Sequence, residues 1–218
     1  MFLEEAIWIK NVLERLNLLK GQVVLNLGSS DEEYRRLIQP HIDYYIFRPL
    51  RKCGVKIVHV DQKKLDGVDV VLDLEDPDAD ILLDKIERGD VVICSNLLEH
   101  VNNRGLVIDR VKKLTKKGGV IIVTVPNVYR YHPDPIDTMY RPTNIDLENL
   151  FPIEEFTKIE SGIIEVEAEP VVIWPLRKKI LYLAKQVLRK FHLTLKSETP
   201  IIIKNKVSVL AIRKNGGI

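Results

Sequence analysis

Cysteine is almost missing from this chain. Cys53 and Cys94 are the only two among 218 residues, too few for a disulfide framework or a four-ligand zinc site and compatible with a reducing cytosol. Long apolar runs are missing too: none reaches the roughly 18–20 residues that a membrane-spanning helix needs. The N-terminus lacks the unbroken apolar stretch of a secretion signal, because Glu4, Glu5, Lys10 and Glu14 interrupt it. A cytoplasmic globular protein is expected, without internal repeats and with enough length for one real core.

Acids are missing from one segment. Between Glu169 and Glu198 there is no carboxylate, whereas Arg177, Lys178, Lys179, Lys185, Arg189, Lys190 and Lys196 are all basic. The whole chain carries +2, so the rest, without those seven, carries about −5. Within this segment Leu176, Ile180, Leu183, Ala184, Val187, Leu188 and Phe191 share one helical face and the cations share the other. A basic amphipathic helix is expected at 176–192. It would pack on the sheet edge or on a second subunit of a homodimer. Alternatively it would lie on an anionic membrane, with Trp174 as interfacial anchor and the protein membrane-peripheral. Nucleic acid is not expected as a partner, since no basic stripe interleaved with aromatics accompanies the helix.

What is present is an alternating pattern. Phe2, Ala6, Ile9, Leu13 and Leu16 recur at helical spacing, predicting an amphipathic helix over 1–20 that Gly21 ends. Strand-like runs follow as "VVLNLG", "VKIVHVD", "VDVVLDL", "DVVICSN" and "GGVIIVTVP", with helical stretches over 31–53, broken near Pro40, and through Leu114. Two more strands, "FTKIESGIIEVEA" and "PIIIKNKVSVLAIRK", have no room for a crossover after the last. Residues 21–218 are thus expected to form a single α/β domain. Its sheet should be doubly wound, mostly parallel and seven-stranded, with an antiparallel pair at one edge and the basic helix between the last two strands. The long polar connection from Pro126 to Pro152 leaves the carboxyl end of strand five, where open sheets of this kind bind ligands.

Two glycines are missing from the first strand-to-helix turn. "QVVLNLGSSDEEY" keeps Gly28 and then offers Ser29, Ser30 and three carboxylates. Ser30 to Glu33 matches a capping box, with the Ser30 hydroxyl accepting from the Glu33 amide. A phosphate at a helix start needs free amides and no anions nearby, so this turn disfavours NAD and FAD. It tolerates a cationic, phosphate-free ligand such as S-adenosylmethionine. Asp61 ends strand two, where an acid can accept from both ribose hydroxyls, and Asp73 ends strand three, placed for an adenine amino group.

The succession "VVLNLGSS", "IVHVD", "VDVVLDLED", "VVICSNLLEHV", "LTKKGGVIIVTVPN" and "YHPDPIDTMYRPT" resembles class I S-adenosylmethionine-dependent methyltransferases over residues 20 to 155. In particular it is similar to a subgroup often found among glycan-assembly genes. The resemblance implies that Asn26, Gly28, Ser29 and Ser30 line the methionine end of the cofactor. Asp61 would serve the ribose, Asp73 and Leu74 the adenine, and Ser95 with Asn96 the region beneath the sulfur. Asn26 stands where an acid commonly meets the cofactor's ammonium, and Ser30 replaces the second glycine.

For a hydroxyl acceptor the proton must also be removed, and histidine is the usual agent near neutral pH. His132 is the first candidate and His100 the second, with Asp134 and Asp137 able to orient His132 or to act as the base themselves. The plainer alternative makes His100 a helix-start residue and "HPDP" a stiff turn. No metal is expected. "SNLLEH" after strand four lacks the D/N-P-P-Y pattern of enzymes that methylate base amines. The expected function is methyl transfer from S-adenosylmethionine to an oxygen of a small-molecule or glycan acceptor. The alternative is a non-catalytic relative that binds or scaffolds, its glycine loop having decayed.

Overall fold

The computed structural model describes residues 1–133, 136–173 and 201–216. Asp134, Trp174 and the expected basic helix at 176–192 therefore lie outside the described residues. The described residues form one seven-stranded sheet in the order β3-β2-β1-β4-β5-β7-β6. Strands β1 (Val23–Leu27), β2 (Lys56–Asp61), β3 (Val70–Val71), β4 (Gly89–Ser95) and β5 (Thr115–Val128) run parallel. The last two, β6 (Phe156–Ile173) and β7 (Ile201–Lys214), make the antiparallel pair at the edge, with β7 also antiparallel to β5. Strand three is shorter than its apolar run suggests, because Val70 and Val71 alone pair with Val60 and Asp61.

Alternation along each strand builds two cores. Leu25, Leu27, Val92, Cys94, Ile121 and Val123 face one side, where α4 (Ala79–Leu83) adds Ala79 and Leu83 and α5 (Arg104–Leu114) adds Val107, Val111 and Leu114. Val24, Val91, Ile93, Val120 and Ile122 face the other, against Ala6, Ile9 and Leu13 of α1 (Leu3–Leu16) and against Ile46, Phe47 and Leu50. Each fully buried Leu or Ile contributes roughly 1.5–3 kcal/mol, so the sheet is anchored from both faces.

Helix α1 ends at Leu16 rather than near Gly21: Asn17 takes the left-handed conformation (φ 50) and donates its amide to the Glu14 carbonyl at 3.2 Å. Trp8 of α1 donates to Glu160 of β6 at 2.6 Å, tying the helix to the edge strand. Residues 34–52 are helical in pieces: a π-turn (Tyr34–Ile38), α2 (Pro40–Ile42), a second π-turn (Asp43–Phe47) and α3 (Arg48–Lys52). Pro40 marks the break, as its missing amide requires.

Sheet order reverses between β1 and β4, which opens a crevice at their carboxyl ends. The connection after β5 crosses beside it and contains α6 (Asn144–Glu148). This long segment is docked rather than loose, since Thr138 donates both its amide and its hydroxyl to the Glu99 carbonyl at 2.9 Å.

Candidate functional site

A cleft of about 350 Å³ lies over the carboxyl ends of β1, β2 and β4. Asn26, Gly28, Ser29, Ser30, Asp61, Asp73, Leu74, Ser95, Asn96, His100 and His132 all line it. Sequence positions spread over more than a hundred residues are thus brought to one cavity by the strand ends. Asp137 lies behind His132 rather than on the cleft wall, and Asp134 is outside the described residues.

The first turn is built differently from the capping box. Ser30 is left-handed (φ 55), its amide donates to Asp61 Oδ2 at 2.8 Å, and it does not cap the following turn. Asp31 takes that role, accepting from the Tyr34 amide at 2.6 Å. Gly28 (φ 68) has to be glycine twice over: an added Cβ would be strained by the backbone and would stand 3.0 Å from Leu97 Cδ1. Beneath the loop, the buried Arg35 guanidinium donates to the Ser29 carbonyl at 3.0 Å, to the Ser30 carbonyl and to the Gly67 carbonyl at 2.7 Å. Glu32 is paired with Arg36. Charge opposing an anion is therefore weaker here than three bare carboxylates would make it.

Phosphate is disfavoured for a second, geometric reason. The Ser29 amide donates to the Val60 carbonyl and the Glu32 amide to the Asp66 carbonyl, while the Ser30 and Tyr34 amides serve Asp61 and Asp31. Four donors that a phosphate would use already have acceptors. What the cleft offers instead is acceptors. Asp61 keeps lone pairs on both oxygens beyond the Ser30 and Lys63 amides. Asp73 is exposed and uses Oδ1 for the Glu75 amide, leaving Oδ2. On the floor, Ser95 Oγ and Asn96 Oδ1 are buried without any hydrogen-bond partner.

Asn26 is oriented by a residue that the sequence reading passed over. Its Nδ2 stands 3.2 Å from His59 Nδ1 across the β1–β2 register. Burial first, then the Arg35 and Arg51 charges, push the His59 imidazole down to about 3, so it is neutral and accepts. The amide oxygen of Asn26 is then the end left for a ligand's ammonium. Glu5 of α1 was also missed. Fully buried, it accepts from Asn96 Nδ2 at 2.8 Å and from the Thr124 hydroxyl, and so holds the floor from below. No local signal marks Glu5; its apolar neighbours announce only a packed helix.

An aromatic wall closes the other side. Phe2 meets Tyr129, Tyr129 meets His132 and His132 meets His100, all edge-on, with centroids 5.3, 5.0 and 5.1 Å apart. His132 is held through Asp137, whose Oδ2 accepts from the His132 amide at 2.9 Å and lies 3.2 Å from Nδ1. Burial raises the Asp137 carboxyl, but Arg141 and the His132 and Met139 amides outweigh it and keep the group ionised well below the usual carboxylate range. Asp137 therefore orients His132 and is a poor base itself. Burial lowers the His132 pKa despite the Arg130 carbonyl and Asp137. Beside the pair, Glu99 is buried with neither oxygen hydrogen-bonded, and burial pushes its carboxyl up to about 8.

No protein-family model and no curated protein sequence matches the chain. Its fold is nevertheless shared by solved structures. Coclaurine N-methyltransferase bound to N-methylheliamine and SAH is 14% identical at a TM-score of 0.56, over 96% of this chain and 72% of that one. Magnesium protoporphyrin IX methyltransferase from Synechocystis PCC 6803, with bound SAM, is 12% identical at a TM-score of 0.51, over 98% and 79%. The [4+2]-cyclase SpnF is 12% identical at 0.54, over 97% and 81%. The chain has the Rossmann-like methyltransferase fold.

Proposed function

We propose that this protein is an S-adenosylmethionine-dependent methyltransferase acting on an oxygen of a small-molecule or glycan acceptor. The observation that carries the reading is the polarity of the cleft, where acceptors are free and the Ser29, Ser30, Glu32 and Tyr34 amides are engaged. A ligand with a sulfonium, an ammonium, two ribose hydroxyls and an adenine amine matches that wall, and a pyrophosphate does not. The orphaned Ser95 Oγ and Asn96 Oδ1 fit such a ligand. Methyltransferases of the same fold that hold SAM or SAH support the choice.

Asn26 would take the ammonium, Asp61 the ribose, and Asp73 with Leu74 the adenine. When bound, the cofactor supplies a methyl group already activated by its sulfonium. What remains for the chain is to align an acceptor at near-attack distance, which can remove about 7–11 kcal/mol of the barrier. His100 and His132 face that side of the cleft and handle the acceptor's proton. Phe2 and Tyr129 shield the same region from water.

A second reading, an adenosine-binding protein that transfers nothing, is favoured by Asn26 and by the cyclase that shares the fold. Methyl-labelled S-adenosylmethionine separates the two when supplied with hydroxyl-rich glycan fractions. Transfer of label to a glycan supports the enzyme. Binding of the donor with no transfer to any fraction supports the second reading.

A further inference from the structure

Three groups beside the cofactor cleft go beyond that reading. One ligand atom each from Glu99, His100 and His132 lies within 4.8 Å of the other two. Glu99 has no exposed side-chain surface, and neither of its oxygens has a hydrogen-bond partner. A buried carboxylate in this condition is costly unless a cation or a proton accompanies it.

The imidazoles are set up as ligands by what lies behind them. His100 Nδ1 meets the Ile136 carbonyl, and His132 Nδ1 lies 3.2 Å from Asp137 Oδ2 and 3.3 Å from the Arg130 carbonyl. Carbonyls and an ionised carboxylate only accept, so each Nδ1 is assigned the proton and each Nε2 the lone pair. This is the outer-shell arrangement that fixes metal-binding histidines. His100 Nε2 then points a lone pair toward Glu99 Oε1 at 3.7 Å, too far for a hydrogen bond and repulsive unless a cation or a proton lies between them.

We propose that Glu99, His100 and His132 bind a divalent first-row transition ion on the acceptor side of the cleft. Two imidazoles and one carboxylate favour Mn²⁺, Fe²⁺, Co²⁺ or Zn²⁺ over Mg²⁺ or Ca²⁺. Donors ~2.1 Å from one ion stand about 3.0–3.4 Å apart, so binding draws the widest pair of the trio together by up to about 1.8 Å. Three ligands on one side leave open positions toward the cleft. If the cleft is a methyltransferase site, as proposed above, those positions take an acceptor with two adjacent oxygens, such as a vicinal diol. The ion then lowers the pKa of the hydroxyl, whose proton leaves to bulk water, so in the metal-loaded chain His100 and His132 serve as ligands rather than as the base.

The test is Mn²⁺ binding to the chelator-stripped full chain, read as loss of the free-ion electron paramagnetic resonance signal. Saturation at one Mn²⁺ per chain is expected, weakened about 10–100-fold or more in Glu99→Gln and in His132→Ala, since even outer-shell changes cost that much. His132 is half-buried on a connection, so its variant keeps the test open if Glu99→Gln does not fold. Absence of saturable binding, or variants that bind like the parent, overturns the proposal. Loss of turnover in His132→Ala from a parent that binds no Mn²⁺ overturns it too, and makes His132 the base. S-adenosylhomocysteine binding, measured by calorimetry without metal, judges the methyltransferase reading separately: one can fail while the other stands.

Discussion

Gly28, Asp61 and His59 show how single residues shape the cleft, and each makes a prediction. Gly28→Ala forces a Cβ onto a backbone at φ 68; it should cost about 1–3 kcal/mol of stability and abolish measurable S-adenosylhomocysteine binding. Chemical denaturation and calorimetry read the two effects. Asp61→Asn removes the charge that receives the Ser30 amide, and a hydrogen bond to a charged group contributes about 1.5–3 kcal/mol. Cofactor affinity should fall about 10–100-fold. His59 gives a pH signature. The folded chain keeps it neutral down to about 3, whereas the unfolded chain protonates near 6.5. Its contribution is complete above about 6.5 and is lost as pH falls toward 3. Metal-free Glu99 has the opposite sign: folded, it holds its proton to about 8, unfolded only to about 4.5, so stability falls as pH rises between them. Urea unfolding across pH should show His59→Gln flattening the acid limb and Glu99→Gln the alkaline one. Gly28 and Asp61 were legible as cleft positions because strand ends announce them, and Asp73 because it follows an apolar run, although β3 stops two residues before it, at Val71. His59, Arg35 and Glu99 were not, since their roles depend on which strand lies next to which and on a loop that docks from thirty residues away.

Helix α1 is the element whose role changes most between sequence and structure. Its periodicity predicts packing, and Ala6, Ile9 and Leu13 do pack. Nothing in the pattern says that Glu5 passes beneath the cleft to Asn96 and Thr124, or that Phe2 joins Tyr129 in its wall. Glu5→Ala would strand two buried donors and should destabilise the fold by about 2–5 kcal/mol. Cofactor affinity should fall with it, because Asn96 is left-handed (φ 48) and depends on that carboxylate for its position. Asn11→Ala, on the exposed face of the same helix, provides the control: it should leave both quantities nearly unchanged. The first β–α turn teaches the complementary lesson. Ser-Asp-Glu-Glu fits two capping schemes, and only the left-handed Ser30, pulled over by Asp61, selects the one that uses Asp31.

At the scale of the molecule, the mostly parallel seven-stranded sheet and its antiparallel edge were readable from alternating strands and from the lack of room for a final crossover, and the structure added the strand order. The position of the cleft followed from them, because strand order reverses at β1 and β4. The acceptor does not follow, since a fold positions chemistry without choosing it; neighbours of this fold include an N-methyltransferase and a cyclase. Among the described residues no helix is long and apolar enough to cross a membrane. The seven cations between 169 and 198 predict a salt-sensitive attraction to anionic vesicles, which co-sedimentation at low and high ionic strength would reveal. The account as a whole stands on the kind of ligand that the switch-point cleft accepts. Titration calorimetry of the full chain against S-adenosylhomocysteine, and separately against NAD, asks this directly. The account predicts one S-adenosylhomocysteine per chain and no heat from NAD. Saturable binding of NAD, or silence toward S-adenosylhomocysteine, would contradict it.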